Sequence, residues 1–199
     1  MKMLKIAITG GIGSGKSAVA NCLQELGYAV YSCDEIYKTI IVSPKYVEKV
    51  SETFPECVEN GEINRKILAS IVFQNERKLQ QLNDIAHPLI MEKLFALMNN
   101  TKESLVFAEV PLLFESRTEK QFDKVIIVQR DIGLRMEGVA KRDGLTSSEI
   151  EKRMQAQFDY SKLDATQLDN LIILKNDGDL QKLKIEVCEL IKCLKNNLS

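Results

Sequence analysis

Residues Gly10 to Ser17 have the types and the spacing of a loop that binds phosphate. They satisfy the pattern G-x-x-x-x-G-K-[ST], in which glycines let backbone amides approach phosphate oxygens. Lys16 is expected to reach the β- and γ-phosphates, and the hydroxyl of Ser17 to bind Mg²⁺. The dinucleotide pattern G-x-G-x-x-G fails, because starting at Gly11 its last position is Lys16, and starting at Gly10 its middle one is Ile12. We therefore expect a nucleoside triphosphate as the ligand.

A phosphate loop is shared by kinases, GTPases and motor ATPases, so further signals must separate these classes. The guanine-binding pattern N-K-x-D is absent, and Lys175-Asn176-Asp177 has similar residues in a different order. A motor usually needs more chain than 199 residues. A small kinase needs a carboxylate to accept a hydroxyl proton and arginines to neutralise developing charge. We therefore search the sequence for both.

Two carboxylates follow or end predicted strands. Asp34 comes just after one, at the edge of the sheet where ligands of open α/β folds bind. It is either a general base or the N-cap of a helix predicted over 35–42. Glu109 is either an indirect partner of a magnesium ion or only a polar strand end.

Arginines and one histidine are further candidates for the site, and each has a structural alternative. Arginine donates two parallel hydrogen bonds to phosphate, so a cluster of arginines is either a solvated helix face or part of the triphosphate site. We expect at least one of the cluster to reach the triphosphate. His87 precedes a proline between two helical patterns, and is either a turn or capping residue or a contact to an anionic substrate. The clustered arginines are Arg130, Arg135, Arg142 and Arg153.

The elements that must position these residues alternate between short apolar runs and longer helical patterns. This alternation predicts a parallel sheet with crossover helices. A long helical stretch between the second and third strands suits a substrate-binding insertion. Thr146 and Glu149 form a capping box that opens a helix through about residue 157. Strands are predicted over 4–9, 28–32, 105–110, 124–128 and 170–174, and helices also over 17–26 and 179–197.

Composition excludes several classes of protein. With 27 basic and 28 acidic residues the net charge is -1, which disfavours a general nucleic-acid or membrane-surface binder. No apolar run is long enough to cross a bilayer. The 5 cysteines form no C-x-x-C pair and the 1 histidine cannot complete a Cys2His2 zinc site. We expect one cytoplasmic domain.

The order of motifs along nearly the whole chain resembles the dephospho-coenzyme A kinases. The Thr-Gly-Gly-Ile-Gly-Ser-Gly-Lys-Ser form of the loop and the Pro-Leu-Leu-Phe-Glu segment are the most specific matches. The matching segments are Ile8–Ser17, Cys33-Asp34, Asn60–Arg65, His87–Ile90, Pro111–Glu115, Lys141–Asp143, Arg153–Gln157 and Asn176.

This resemblance implies transfer of a phosphoryl group from ATP to the ribose 3'-hydroxyl of dephospho-coenzyme A, the last step of coenzyme A synthesis. The products are coenzyme A and ADP. It implies Mg²⁺ as cofactor and no nucleic-acid, membrane or obligate protein partner. It also implies one P-loop kinase domain over 1–199, with a five-stranded parallel sheet, a helical substrate-binding insertion over about 35–103 and a small helical lid over about 131–160.

The resemblance also implies roles for individual residues. Asp34 matches the catalytic aspartate, Arg142 the lid arginine, and Asn176 an asparagine near the adenine. Lys16 and Arg142 join Asp34 as catalytic residues, and Ser17 is the metal ligand. The ATP-binding residues are Gly11, Ile12, Gly13, Ser14, Gly15, Lys16, Ser17, Ala18, Arg142 and Asn176. The acceptor-binding residues are Asp34, Lys38, Arg65, His87, Leu112, Leu113 and Glu115.

Four positions depart from the family pattern. Ser32 replaces the first aspartate of the usual Asp-Ala-Asp, and Lys38 stands where arginine is common, so a bidentate contact there is lost. Ile132 replaces a glutamine and Ala18 a threonine. The alternative functions are a kinase of another small acceptor, such as a nucleoside, nucleotide or shikimate, and a protein that only senses ATP.

Overall fold

The computed structural model describes residues 3–160, 163 and 170–196. The chain forms two compact units, Met1–Tyr31 with Thr101–Ser199 (the core unit) and Ser32–Asn100 (the insert unit). In chain order the elements are β1 (Leu4–Thr9), α1 (Lys16–Glu25), β2 (Val30–Ser32), α2 (Cys33–Ile40), α3 (Pro44–Thr53), β3 (Val58–Glu59), β4 (Glu62–Ile63), α4 (Arg65–Phe73), α5 (Glu76–Asn99), β5 (Leu105–Glu109), β6 (Lys124–Gln129), α6 (Ile132–Asp143), α7 (Ser147–Gln155), β7 (Leu171–Lys175) and α8 (Leu180–Asn196).

The core unit is built on a five-stranded parallel sheet with strand order β2-β5-β1-β6-β7. Its central strands are apolar and buried, and Ile6 of β1 pairs with Phe107 of β5. Helices α1 and α8 contribute Val19, Leu23 and Val187 to the same core. The predicted fold class is confirmed. Because all five strands are parallel, their carboxyl ends share one edge, where the candidate site residues of this unit lie.

The insert unit packs α2, α3 and α4 against the long helix α5. A two-stranded hairpin, β3 with β4, turns at Asn60 and Gly61, whose φ angles of 52° and 81° suit a tight hairpin turn. The hairpin was not predicted, because strands of two residues carry no alternating pattern.

The predicted break at His87-Pro88 is wrong, because α5 runs through both residues. A proline inside a helix lacks an N–H and crowds the carbonyl four residues earlier, at a cost of about 3 kcal/mol or more. Buried residues on both sides, including Ala86, Leu89 and Met91, give α5 packing energy that offsets this cost. His87 is therefore a helical residue, and neither a turn nor a cap.

The other predicted boundaries shift by one to two residues at most ends. The capping box of Thr146 and Glu149 is present at the start of α7. The last predicted residue of the final helix, 197, lies outside the described residues. No described helix is both long and apolar enough to cross a membrane.

Candidate active site

The phosphate loop, residues Gly10 to Ser17, joins β1 to α1. The amide of Ser14 donates to the carbonyl of Gly11 at 3.1 Å, and Gly15 caps α1 with a φ of 96°. The first amides of a helix have no partner within it, and this end of the helix dipole is positive. The loop and the first turn of α1 are therefore suited to hold an anion, and they contain all the predicted ATP-binding residues from Gly11 to Ala18.

Lys16, the first residue of α1, lies across this loop. Its Nζ donates to the carbonyl oxygens of Gly10 and Gly11 at 2.7 and 3.2 Å. These bonds keep a positive charge beside the loop amides. An anionic group bound by those amides would therefore meet a cation already in place.

Replacing Gly13 by alanine should weaken ATP binding at least about tenfold, which corresponds to about 1.4 kcal/mol. Gly13 has a φ of 77°, and a Cβ there would lie 2.8 Å from the carbonyl oxygen of Arg135 and 2.9 Å from Cγ2 of Val139. The loop or α6 must move to relieve these contacts. Calorimetric titration with an ATP analogue measures the change.

Gly27→Ala is the matched control for this substitution. Gly27 has a similar φ of 88°, but no atom lies within 4 Å of its added Cβ. It should lower stability through the backbone alone, by about 1–2 kcal/mol, and leave ATP affinity unchanged. Equal ATP affinities in the two variants would show that the close contacts at Gly13 do not affect ATP binding.

Arg135 of α6 is the one of the four clustered arginines that reaches the phosphate loop. Its Nε donates to the carbonyl of Ile12 at 2.9 Å, and its guanidinium packs against Gly11. Burial lowers the pKa of Arg135. Among the described residues no carboxylate forms a salt bridge with it. A half-buried guanidinium beside the loop, with no carboxylate partner in the described part of the chain, suits a phosphate anion.

Arg142, the predicted lid arginine, lies near the end of α6 and is exposed. It forms a bidentate pair with Asp143, with Nε to Oδ1 at 2.7 Å and a second bond at 2.8 Å. This hydrogen bonding raises the pKa of Arg142 and lowers that of Asp143. The structure does not bring Arg142 to the phosphate loop, and its contact with ATP stays a prediction.

Asn176 follows β7 and is buried. Its Nδ2 donates to the carbonyl of Ser14 at 2.9 Å and packs against Gly15, while its backbone amide continues the sheet by donating to Gln129. The side chain amide therefore holds the second half of the phosphate loop. Its predicted contact with adenine stays a prediction.

Ser17 and Glu109 meet at the carboxyl edge of the sheet. The Ser17 hydroxyl donates to Oε1 of Glu109 at 2.8 Å, and hydroxyl and carboxylate oxygens are of the kind that Mg²⁺ prefers. The described residues contain no group of three or more histidine, cysteine or acidic side chains that could hold a metal by themselves. A magnesium ion here would take its remaining ligands from phosphate oxygens and water.

The segment after α7, residues Gln157 to Tyr160, contacts the phosphate loop, and this contact was not predicted from the sequence. The amide of Ile12 donates to Oε1 of Gln157 at 2.7 Å. The hydroxyl of Tyr160 lies 3.1 Å from that of Thr9, the last residue of β1. Gln157 belongs to one of the quoted family motifs, which was the available signal.

The Pro-Leu-Leu-Phe-Glu segment supports that contact. Phe114 stacks on Phe158 with ring centroids 4.7 Å apart, and Oε1 of Glu115 accepts the amide of Phe158 at 2.9 Å. Leu113 is fully buried, whereas Leu112 is 41% exposed. Of the three predicted acceptor contacts in this segment, Leu113 is buried and Glu115 is bonded to the Phe158 amide. The side chain of Leu112 is therefore the one that is exposed and could contact an acceptor without breaking a described hydrogen bond.

Asp34 and Lys38 lie in α2 of the insert unit. The N-cap of α2 is Ser32, whose hydroxyl accepts the amide of Glu35 at 3.4 Å, so the capping alternative for Asp34 is wrong. Asp34 is exposed in the first helical turn. Lys38 pairs with Glu35 at 2.6 Å, and this hydrogen bond raises the pKa of Lys38.

Arg65 and His87 also belong to the insert unit. Arg65 begins α4 directly after Asn64, whose side chain caps that helix. It lines an open groove of about 550 Å³ whose other walls are mostly apolar, including Val47 and Leu68. His87 is partly exposed in α5 and is not among the residues that line this groove.

Comparisons with known proteins agree along most of the chain. A family model described as dephospho-CoA kinase matches residues 4–182. A dephospho-CoA kinase from Fusobacterium nucleatum is 34% identical, covering 96% of this chain and 100% of the relative. One from Bacillus licheniformis is 36% identical, covering 97% and 98%. The crystal structure of TT1252 from Thermus thermophilus has a TM-score of 0.81 at 30% identity, covering 100% of both chains.

Proposed function

Because this chain belongs to the dephospho-CoA kinase family, we propose how its own residues carry out the transfer from ATP to dephospho-coenzyme A. The protein is an ATP-dependent kinase that phosphorylates the ribose 3'-hydroxyl and gives coenzyme A and ADP. The observation that carries this function is the phosphate loop, complete in residue type and geometry, in a chain similar to these kinases over its whole length.

ATP binds at the loop, residues Gly11 to Ser17, and at the first turn of α1, which includes Ala18. Lys16 neutralises the β- and γ-phosphates, and its two carbonyl contacts support this role because they already direct it to the loop. Arg135 adds a second cation beside Gly11 and Ile12. Asn176 keeps Ser14 and Gly15 in place and contributes to the adenine site by its position after β7.

Magnesium is the implied cofactor, and Ser17 is its proposed protein ligand. The hydrogen bond from Ser17 to Glu109 supports this assignment, because Glu109 would fix the hydroxyl and strengthen its oxygen as a ligand. When bound, Mg²⁺ neutralises phosphate charge and orients the triphosphate. Glu109 then acts on the metal only through Ser17.

Asp34 is the proposed general base. It orients the 3'-hydroxyl and takes its proton as the oxygen attacks the γ-phosphorus and the bond to ADP breaks. Its exposed carboxylate, just after β2 and not used as a cap, supports this role. Arg142 reaches the transferring group when the part of the lid that carries it closes and excludes water. Its exposed position near the end of α6 supports this, although Asp143 must first release it.

The insert unit is proposed to bind the acceptor, as the helical region predicted over 35–103. Arg65 is suited to the acceptor's diphosphate, and the apolar groove beside it to the pantetheine arm. Lys38 and His87 add positive charge or hydrogen bonds from the same unit. Leu112 and Glu115, with the backbone of Leu113, complete the acceptor contacts from the core unit. No nucleic acid, membrane or protein partner takes part, and the reaction is cytoplasmic.

The test is ADP release with ATP and Mg²⁺, measured with and without dephospho-coenzyme A. Release should depend on dephospho-coenzyme A, and mass spectrometry should show coenzyme A as the product. Adenosine, AMP and shikimate are the competing acceptors. Stimulation by one of these alone would indicate that Ser32 and Lys38 mark a different acceptor pocket.

A further inference from the structure

Ile12, at the centre of the first half of the phosphate loop, is held through both of its backbone polar groups. Its amide donates to Oε1 of Gln157 at 2.7 Å. Its carbonyl accepts Nε of Arg135 at 2.9 Å. Because both groups of one residue are fixed from outside the loop, neither adjoining peptide can rotate without breaking a hydrogen bond. Glycine-rich loops need such restraint, since glycines leave many backbone conformations open.

Tyr160 restrains the chain at Thr9, just before the phosphate loop begins. Its hydroxyl contacts the hydroxyl of Thr9 at 3.1 Å, at the end of β1. Burial raises the pKa of Tyr160, so the phenol stays protonated and can donate as well as accept. Gln157 and Tyr160 together contact the chain from the end of β1 to Ile12.

The segment that carries these two side chains is itself anchored. Phe158 stacks on Phe114, and its amide donates to Glu115 at 2.9 Å. Tyr160 packs edge-on against both rings. The segment therefore has contacts that fix its position independently of the loop, as a support must.

We propose, on the basis of the kinase function above, that Gln157 and Tyr160 are positioning residues that hold the phosphate loop in its ATP-binding shape. They act on the first half of the loop. The amides that a helix N-terminus offers to phosphate belong to its second half, from Gly15 onward, where Asn176 is the support. Gln157 therefore restrains the loop without competing with ATP for those donors.

Gln157→Met tests the proposal, because it removes the acceptor for the Ile12 amide and keeps the length of the side chain. The dissociation constant of a non-hydrolysable ATP analogue, measured without acceptor, should rise about two- to tenfold, the range for one lost hydrogen bond. The KM for ATP should rise in parallel, while kcat at saturating ATP and the KM for dephospho-coenzyme A stay within about twofold. Tyr160→Phe should show the same pattern while keeping the ring contacts.

Gln155→Met is the matched control, since Gln155 is exposed in the last turn of α7, two residues before Gln157. It should leave both ATP constants unchanged. Unchanged analogue affinity in folded Gln157→Met and Tyr160→Phe, or tighter binding in either, would overturn the proposal. Binding of the analogue needs no acceptor, so this result stands even if ADP release proves independent of dephospho-coenzyme A.

Discussion

Replacing Asp34 by asparagine is expected to lower kcat by about two to four orders of magnitude, the usual contribution of a general base. Asparagine has the same shape and can still hydrogen-bond a hydroxyl, but it cannot take the proton. Asp34 is exposed, and Ser32 rather than Asp34 caps α2. The substitution should therefore change folding little. Loss of the negative charge from the first turn of α2 should lower the free energy of unfolding by about 0.3–1 kcal/mol, because that charge interacts favourably with the helix dipole.

ATP affinity in Asp34→Asn should stay within about twofold of the unchanged protein, measured by the same titration. Asp84→Asn is the matched control, because Asp84 is an exposed helical aspartate of the same unit that contacts only Gln80 among the bonds the structure describes. It should keep full turnover. A kcat for Asp34→Asn within a few fold of the unchanged protein would remove Asp34 from the chemistry.

Replacing Lys16 by methionine should lower kcat by about two to three orders of magnitude, the cost of removing one preorganised donor from a developing charge. Methionine keeps the length of the side chain and loses the charge. It also loses both hydrogen bonds from Nζ to the carbonyls of Gly10 and Gly11, so ATP affinity should fall as well.

The charge and the loop contacts of Lys16 can be separated by a second variant. Lys16→Arg keeps the charge in a larger group, so it should recover more ATP affinity than turnover. Lys192→Met, on an exposed position of α8, controls for loss of a positive charge and should behave as the unchanged protein. Near-normal turnover in Lys16→Met would place the catalytic cation elsewhere.

The parts of the fold that the sequence predicted are those specified by neighbouring residues. β1 is a short, mostly apolar run followed by glycine, and its predicted bounds are those observed. The phosphate loop is likewise a contiguous pattern. The helix through His87-Pro88 was mispredicted because the local signal of proline opposed packing along α5, and the packing is invisible in a short window.

The parts of the candidate site that could not be predicted depend on which surfaces meet. Four clustered arginines look equivalent in sequence, and only the orientation of α6 selects Arg135 for the loop while Arg142 pairs with its neighbour. The bond between Ile12 and Gln157 joins residues 145 positions apart. The family motif that contains Gln157 therefore draws attention to this residue but does not predict its contact with Ile12.

The division into an uninterrupted insert unit and a split core unit also sets an order of events during protein synthesis. Ser32–Asn100 contains every residue of the insert unit, so it can become compact as soon as that stretch has left the ribosome. β1 must wait for β5, because Leu4 pairs with Leu105, and the sheet is complete only once β7 has emerged. The nascent chain should therefore acquire its first protease-resistant fragment from the middle of the sequence.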